Sequence, residues 1–294
     1  DMSPARGSNL KYVSRKRLVR EDKRFVTGKA TFAQDVKLPN LKHCAVVQSP
    51  YPRAKILSID ASKALALKGV HYVLNGDEFR ANANDMKFGL NTPEVKWYPL
   101  AVDITRYAGE WVAVVVADDI YTAEDAAELV EVDYEPMEPI IDPEEAYSER
   151  ERLVHPGHGS NVLYDGHFCW GPVDEDFAKA DEVLTLRVRW GRSSTVPIET
   201  FGVVARWDEA VDILDIWASI QMPNYVELLA ATLQIPLNSV RLHQNVDVGG
   251  SYGVKRGIKH SVIVGYLSRK LRAPVRFIED RLINMASGDA HGPD

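Results

Sequence analysis

Apolar and polar residues alternate along this chain in short blocks whose period changes repeatedly, the signature of a mixed α and β protein. Residues 1–24 are mostly polar with few apolar anchors and read as an extended arm. His43, Cys44, Ala45, Val46 and Val47 predict a short buried strand, and Ile56, Leu57 and Ile59 a second. Residues 61–67 read as a short helix ended by Gly69, and residues 70–74 as a strand closed by an Asn75-Gly76 turn. A polar loop follows over 82–95. The unbroken apolar run 111–117, bounded by Asp118-Asp119, is the pattern of a strand covered on both faces. Thr122 is placed to cap a helix carrying Ala126, Ala127, Leu129 and Val130, and Val132, Asp133 and Tyr134 open the next strand.

A connector rich in proline, glycine, histidine and acidic residues begins at Pro143. Its stretch 148–162 is assigned as the linker between one domain over 25–147 and a second over 163–294. His155 and His158 lie within it, flanked by Pro156, Gly157 and Gly159, and read as solvated loop residues rather than metal ligands. Beyond it, strands are expected over 183–190, 202–207 and 211–218. A helix then runs over 224–233, with Pro223 at its start and Asn224 as its candidate cap. A strand over 240–247, a glycine loop and a helix over 258–271 complete the pattern.

Composition narrows the function classes. The chain has 294 residues, 45% of them hydrophobic and 26% charged, enough for about two globular domains. Its formal charge of −7 argues against general nucleic-acid binding, and the basic cluster Lys11, Arg15, Lys16, Arg17, Arg20, Lys23 and Arg24 has no aromatic ladder within it. That cluster reads as a solvated arm or a face toward an acidic partner. No apolar run is long enough to cross a bilayer, which predicts no membrane partner. The two cysteines exclude a disulfide scaffold and fall short of the roughly four thiolates of an iron–sulfur cluster. Cys44 and Cys169 are both expected in packing roles, and cytoplasmic residence is the expectation that follows.

The candidate chemistry sits near the C-terminal end. Gln221 follows one predicted strand, and Gly249-Gly250-Ser251-Tyr252-Gly253 follows the next. Neither the dinucleotide-binding G-x-G-x-x-G nor a Walker A loop can be laid onto this glycine loop. On its own it is a tight strand-to-helix turn, and a lone glutamine at a strand exit is commonly a turn or cap residue.

Three stretches change that reading. The first runs from Phe25-Val26-Thr27-Gly28 through Val36-Lys37-Leu38-Pro39 to Ser49-Pro50-Tyr51-Pro52-Arg53 and Ser58-Ile59-Asp60. The second is Gly109-Glu110-Trp111 through Ala117, with residues 123–134 and Glu138-Pro139-Ile140. The third is Gln221-Met222-Pro223, the glycine loop, and Val275-Arg276-Phe277-Ile278-Glu279-Asp280-Arg281. Together they resemble the molybdenum-binding large subunit of the xanthine dehydrogenase, aldehyde oxidase and carbon monoxide dehydrogenase family. The resemblance implies an α+β fold, with an a/b hammerhead domain followed by the first part of the molybdopterin-binding domain. It implies an oxidoreductase that hydroxylates a small N-heterocycle, aldehyde or related carbonyl with oxygen from water. Electrons would leave to 2Fe–2S clusters and FAD on partner chains. The pterin is expected in its cytosine dinucleotide form.

Residue by residue, the resemblance places Gln221 and the backbone of Tyr252 on oxygen ligands of the metal, and Gly249, Gly250, Ser251, Tyr252 and Gly253 around the cofactor. Tyr252 stands where the family commonly has phenylalanine, and Ser251 where it often has glycine, so substrate identity is what these departures affect. Tyr252 and Arg256 are assigned to the substrate pocket; an arginine there suits an electron-rich group, and a salt bridge or plain exposure is the alternative. Helical spacing puts His260 on the face of Arg256, and both His260 and Lys255 are expected to be structural. Glu199 either accepts backbone N–H bonds from the loop or is a strand-end acid. Glu279 and Asp280 are expected to form ion pairs near Arg281. No catalytic side chain is assigned within the chain, since the family's general-base glutamate is expected beyond Asp294. The remaining part of the large subunit, an iron–sulfur subunit and a flavin subunit are the expected partners. A metal-free structural subunit and a piece of a carbon monoxide dehydrogenase are the rival readings.

Overall fold

The computed structural model describes residues 19–87, 95–189, 191, 193–194, 196–222, 224–287 and 290–291. Its elements in chain order are α1 (Asp22–Val26), β1 (Lys42–Gln48), β2 (Ala54–Asp60), α2 (Ser62–Ala66), β3 (Val70–Asn75), α3 (Gly76–Asn82), β4 (Ile104–Thr105), β5 (Trp111–Ala117), α4 (Ile120–Glu128) and β6 (Glu131–Pro136). There follow α5 (Pro143–Ser148), α6 (Val173–Lys179), β7 (Ser193–Ser194), β8 (Gly202–Asp208), β9 (Ile213–Ala218), α7 (Tyr225–Leu233), β10 (Val240–Leu242), α8 (Lys259–Leu271), β11 (Val275–Ile278), α9 (Arg281–Ser287) and β12 (Ala290–His291).

The run 111–117 becomes β5, every residue of which is buried. It pairs antiparallel with β1 on one side and β3 on the other, so its backbone groups are satisfied and both its faces are covered. β1 in turn pairs parallel with β11, through Lys42 with Val275 and His43 with Arg276. One seven-stranded sheet, ordered β10-β9-β8-β11-β1-β5-β3, therefore draws strands from both sides of the 148–162 connector. A separate three-stranded sheet, β4-β2-β6, lies in the first part of the chain. Helix α8 covers β8 and β11, and Gly265 lets it approach closely, since a Cβ there would stand 3.1 Å from side-chain carbons of Leu214 and Leu233.

Local structure departs from the sequence pattern at identifiable points. Asn75-Gly76 opens helix α3 instead of turning a hairpin: the Asn75 side chain accepts from the Glu78 N–H at 2.9 Å. Gly76 is required because a Cβ would sit 2.1 Å from the Ala101 carbonyl oxygen. Asp119, not Thr122, caps α4; its carboxylate accepts from the Thr122 N–H at 2.9 Å and hydroxyl at 2.8 Å. Leu129 lies just past that helix and is exposed. Asn224 occupies the cap position of α7 without a side-chain capping bond, and Pro223 lies outside the described residues.

The expected strand over 183–190 is absent as a paired strand: residues 182–189 are exposed, and no backbone bond joins them to the described residues. The strand expected over 240–247 stops at Leu242. Cys44 is buried as expected, and burial pushes its thiol up, whereas Cys169 is exposed and packs no core.

The connector is built rather than loose. Arg53 donates to the carbonyl oxygens of Glu138 at 3.1 Å and Leu153 at 3.0 Å, and the Asn161 side chain accepts from the Val154 N–H at 2.8 Å. His155 and His158 are half-buried here, not solvated, and desolvation pushes the His155 imidazole down to about 4. Of the arm, residues 22–24 already belong to α1, and residues 1–18 lie outside the described residues.

Trp111, 1% exposed, packs its ring edge-on against His260 and Phe277, each at a centroid distance of 5.0 Å. Trp111→Ala should lower stability by about 3–5 kcal/mol in urea denaturation. Loss of the α4 cap in Asp119→Ala should lower it by only about 1 kcal/mol.

Candidate functional site

Strands β9 and β10 are parallel, joined by α7, and paired through Asp215 with Arg241 and Leu242 with Ile216. Parallel strands linked this way leave their carboxyl ends open on one side, where ligands enter α/β sheets. A cavity of about 390 Å3 lies at those ends, lined by Gln221 and Met222 after β9 and by His243, Gln244, Val246 and Val248 after β10. A larger groove, about 650 Å3, runs along β1, α4, β11 and α9. None of its lining residues belongs to the glutamine or glycine segments, whereas the smaller cavity is lined by Gln221 and reaches Val248 at the start of the glycine loop.

The Gln221 main chain is fixed by its N–H, which donates to the Lys255 carbonyl oxygen at 3.2 Å. Its side-chain Oε1 accepts from the Gly253 N–H at 3.0 Å. A backbone N–H can only donate, so the amide orientation is determined, and Nε2 is left with no partner among the described residues. Gln221 and the glycine loop thus meet directly, and the Gly253 N–H, which the resemblance placed around the cofactor, is taken by Gln221.

The loop itself is bent by left-handed residues: Gly250 at φ 92°, Tyr252 at φ 51° and Gly253 at φ 106°. Left-handed residues within such a turn aim consecutive N–H groups into one concavity, a geometry that suits oxygen-rich anions. Among the described residues, the N–H groups of Gly250, Ser251 and Tyr252 have no acceptor. The Tyr252 ring lies against Gly250 and is largely exposed. The cavity wall reaches Val248 but does not include residues 249–253 or Arg256. Arg256 is exposed and precedes α8, so it does not share a helical face with the buried His260, and the structure does not bring it into the cavity.

Beneath the loop is a buried ion pair. Glu199 Oε2 accepts from the Gly249 N–H at 2.7 Å and from Lys255 Nζ at 2.6 Å, and the Glu199 N–H donates back to the Gly249 carbonyl oxygen at 3.3 Å. A side chain at position 249 would collide with Glu199 Cβ at 2.6 Å. Glu199 therefore holds the loop, the first of its two expected roles. Lys255 has 0% exposure; burial pushes its ammonium down, and the Glu199 hydrogen bond works against that. Arg281 Nη2 donates to the carbonyl oxygens of Pro197 at 2.5 Å and Ile198 at 2.9 Å, steadying the segment that carries Glu199. Arg281 thus binds carbonyls instead of pairing with Glu279 or Asp280. Glu279 is buried, which works against its carboxylate; His260, Asn284 and the Phe201 N–H together hold it below the usual range.

Sequence reasoning left three contributors unassigned. Lys255 was expected to be structural, and it is: its partner Glu199 and its clamp on the loop are what the sequence did not specify. Arg24, counted in the basic arm, makes a two-pronged contact to Asp247 at 2.5 Å, and Asp247 also accepts from the Thr31 N–H at 2.8 Å. Asp247 sits two residues before the loop, so this contact fixes its approach. Asp215, 1% exposed, accepts from Arg206 at 2.6 Å and lies 2.7 Å from His243, whose ring stacks on Trp217 at 4.2 Å beside the cavity. In the sequence this group shows only as Asp215 and Trp217 alternating with Arg241 and His243 along two adjacent strands, a signal that sequence reading did not use.

Among the described residues no group of three His, Cys, Asp or Glu side chains is placed to ligate a metal. The donor set is amide and backbone N–H, which fits a metal carried by an organic ligand with oxygen groups facing the protein. Glu199→Ala should strand the Lys255 ammonium in the interior and lower stability by about 3–5 kcal/mol. The double variant Glu199→Gln/Lys255→Met should regain most of that loss in chemical denaturation.

Asp215 supplies a pH test. Burial alone would raise its pKa, yet His243 and Arg206 hold it below the usual carboxylate range. A depressed folded pKa contributes stability that is complete above about pH 4 and lost as the pH falls further. Asp215→Asn should flatten that acid limb in thermal melts.

Comparison with known proteins agrees with this architecture. Residues 27–138 match the model of the aldehyde oxidase and xanthine dehydrogenase a/b hammerhead domain, and residues 154–293 that of the molybdopterin cofactor-binding domain. The chain is 35% identical to the 6-hydroxypseudooxynicotine dehydrogenase complex subunit gamma of Paenarthrobacter nicotinovorans, over 96% of this chain and 36% of that one. It is 32% identical to the carbon monoxide dehydrogenase large chain of Afipia carboxidovorans, over 97% and 37% respectively. Its fold matches quinoline 2-oxidoreductase from Pseudomonas putida 86 with a TM-score of 0.82 and 33% identity, over 91% of this chain and 34% of that one. The chain spans about a third of the length of these relatives. With its α+β fold and both domain matches in the family's order, this chain belongs to the molybdenum-binding large-subunit family of xanthine dehydrogenase, aldehyde oxidase and carbon monoxide dehydrogenase.

Proposed function

We propose that this chain holds the cofactor end of a molybdenum–pterin hydroxylase. One observation carries the reading: the Gly253 N–H bonds Gln221 Oε1, which joins the glutamine to the glycine loop and leaves Nε2 and the N–H groups of Gly250, Ser251 and Tyr252 without acceptors among the described residues. When bound, the molybdenum–pterin group supplies two-electron oxidation chemistry with water as the oxygen source. The chain's own part is positional. Gln221 and the loop backbone donate to the cofactor's oxygen groups, Gly249 makes room for Glu199, and Glu199 with Lys255 keeps the loop from relaxing. The exposed Tyr252 ring flanks the substrate, while Arg256 stays exposed outside the cavity.

Quinoline 2-oxidoreductase, nicotine 6-hydroxylase and nicotinate dehydrogenase are named for N-heterocycles, which favours a nitrogen heterocycle as the substrate here over an aldehyde or carbon monoxide. Several relatives are named as subunits of larger enzymes. The same proposal places 2Fe–2S clusters and FAD on partner subunits, the general-base glutamate in polypeptide outside this chain, and the pterin in its cytosine dinucleotide form. Among the described residues no helix is long and apolar enough to cross a membrane. Cytoplasmic residence belongs to the proposal and is supported by two unpaired cysteines.

Elemental analysis and pterin release on the purified assembly provide the test. About one molybdenum per chain is expected, with Gln221→Ala lowering retention by roughly 10–100-fold while the melting temperature holds. An assembly that lacks molybdenum after cofactor-replete expression would make the chain a structural subunit.

A further inference from the structure

A second surface is built for a different purpose. Residues 182–189 form neither a helix nor a paired strand and are exposed throughout, while apolar and polar side chains alternate in their sequence. On one side, Arg187 reaches Glu144 at 2.6 and 2.7 Å, and Arg189 lies 3.8 Å from Asp142, so this face is turned toward the start of α5. On the other, Leu184, Leu186 and Val188 are 84%, 80% and 79% exposed. No backbone N–H or carbonyl oxygen from 182 to 189 is hydrogen-bonded among the described residues. Nearby in sequence, Phe168 and Trp170 stack with centroids 6.1 Å apart while both remain exposed.

An isolated exposed apolar side chain is ordinary, but a period-two apolar sequence on a backbone with no hydrogen bonds is not. Exposed edges are commonly blunted by lysine, proline or inward charge; residues 182–189 contain no lysine or proline, and their arginines face the other way. Strand addition satisfies both deficits at once, because a second strand supplies backbone partners and alternate apolar side chains. The chain spans 36% of the 6-hydroxypseudooxynicotine dehydrogenase gamma subunit and 34% of the quinoline oxidoreductase chain, so these relatives carry ample further polypeptide to provide one.

We propose that residues 182–189 are a strand-addition site, filled by an extended, alternately apolar segment from the portion of the large subunit that such relatives carry beyond the matched region. The inference rests on family membership and not on the cofactor reading, so protection without bound molybdenum would uphold it while sinking the other.

Hydrogen exchange with mass spectrometry tests it, comparing this chain alone with the same chain in its purified complex. Amides 182–189 should exchange freely in the dilute chain and slow by about a hundredfold or more in the complex. Free exchange in both overturns the proposal, as does protection that appears in the chain alone on raising its concentration, which would make a second copy the occupant. In Leu184→Lys/Leu186→Lys, the melting temperature of the chain alone should be unchanged, since both side chains already face solvent, while amide protection in the complex is lost. Thr185→Lys, on the opposite face, should retain protection. Protection that survives the double substitution would also overturn the assignment.

Discussion

A single carboxylate oxygen, Glu199 Oε2, receives both the Lys255 ammonium and the Gly249 N–H. Removing a charge of either sign from water is costly unless its partner is close and its remaining hydrogen-bonding positions are filled. Here the pair is close, and the Gly249 N–H fills one of those positions. The electrostatic requirement of the interior thereby becomes a positional constraint on the loop: the carboxylate must stay beside the ammonium, and Gly249 must stay beside the carboxylate. Lys255 extends the constraint, because its carbonyl oxygen accepts the Gln221 N–H. One residue thus ties the glycine loop through its side chain and the glutamine through its main chain.

The sheet explains why that constraint can be met. From β3 to β10 the seven strands form one ladder, with the fully buried β5 near one end and the site at the other. β1 couples the two halves through its parallel pairing with β11. Immediately after β11 come Glu279 and Arg281, which bond to residues 201 and 197–198, so the segment bearing Glu199 is held by the end of a core strand. On the far side of the loop, Asp247 is tied to Arg24 and Thr31 near the start of the chain. Distant stretches converge on one short loop because it is pinned at both ends.

Much of this frame was legible in the sequence, for physical reasons that differ by element. β5 declared itself through an unbroken apolar run, and α8 through its helical spacing, since burial enforces those patterns directly. Residues 183–189 have an equally good strand pattern but no backbone partner among the described residues, because periodicity reports which side chains share a face and not what pairs with the backbone. The strand after α7 was read too long because Val246 and Val248 continue its apolar pattern, although they line the cavity. Lys255 was expected to be structural, but its partner was illegible: only the fold shows that it has no exposure and meets Glu199, 56 residues earlier. The resemblance put Gln221 and the loop around one cofactor, but their direct contact was not legible, since nothing in the spacing requires a glutamine to meet a glycine 32 residues later.

Tyr252 carries the remaining strain. A non-glycine residue in the left-handed region costs about 1–2 kcal/mol, and this one, at φ 51°, sits between Ser251 and a glycine that is itself left-handed. A free loop would relax, and the unpaired N–H groups of Gly250, Ser251 and Tyr252 would turn toward water or toward one another. The loop is instead over-determined by Glu199 on one side and Gln221 Oε1 on the other, which are the conditions under which strain persists at functional sites. A ligand that accepts from those N–H groups would add interactions without having to reorganise the backbone. The arrangement also explains how a tyrosine is tolerated: its ring lies along Gly250, where any larger residue would meet Cε2 at 3.0 Å, so the glycine makes room for the aromatic side chain that the strained backbone presents.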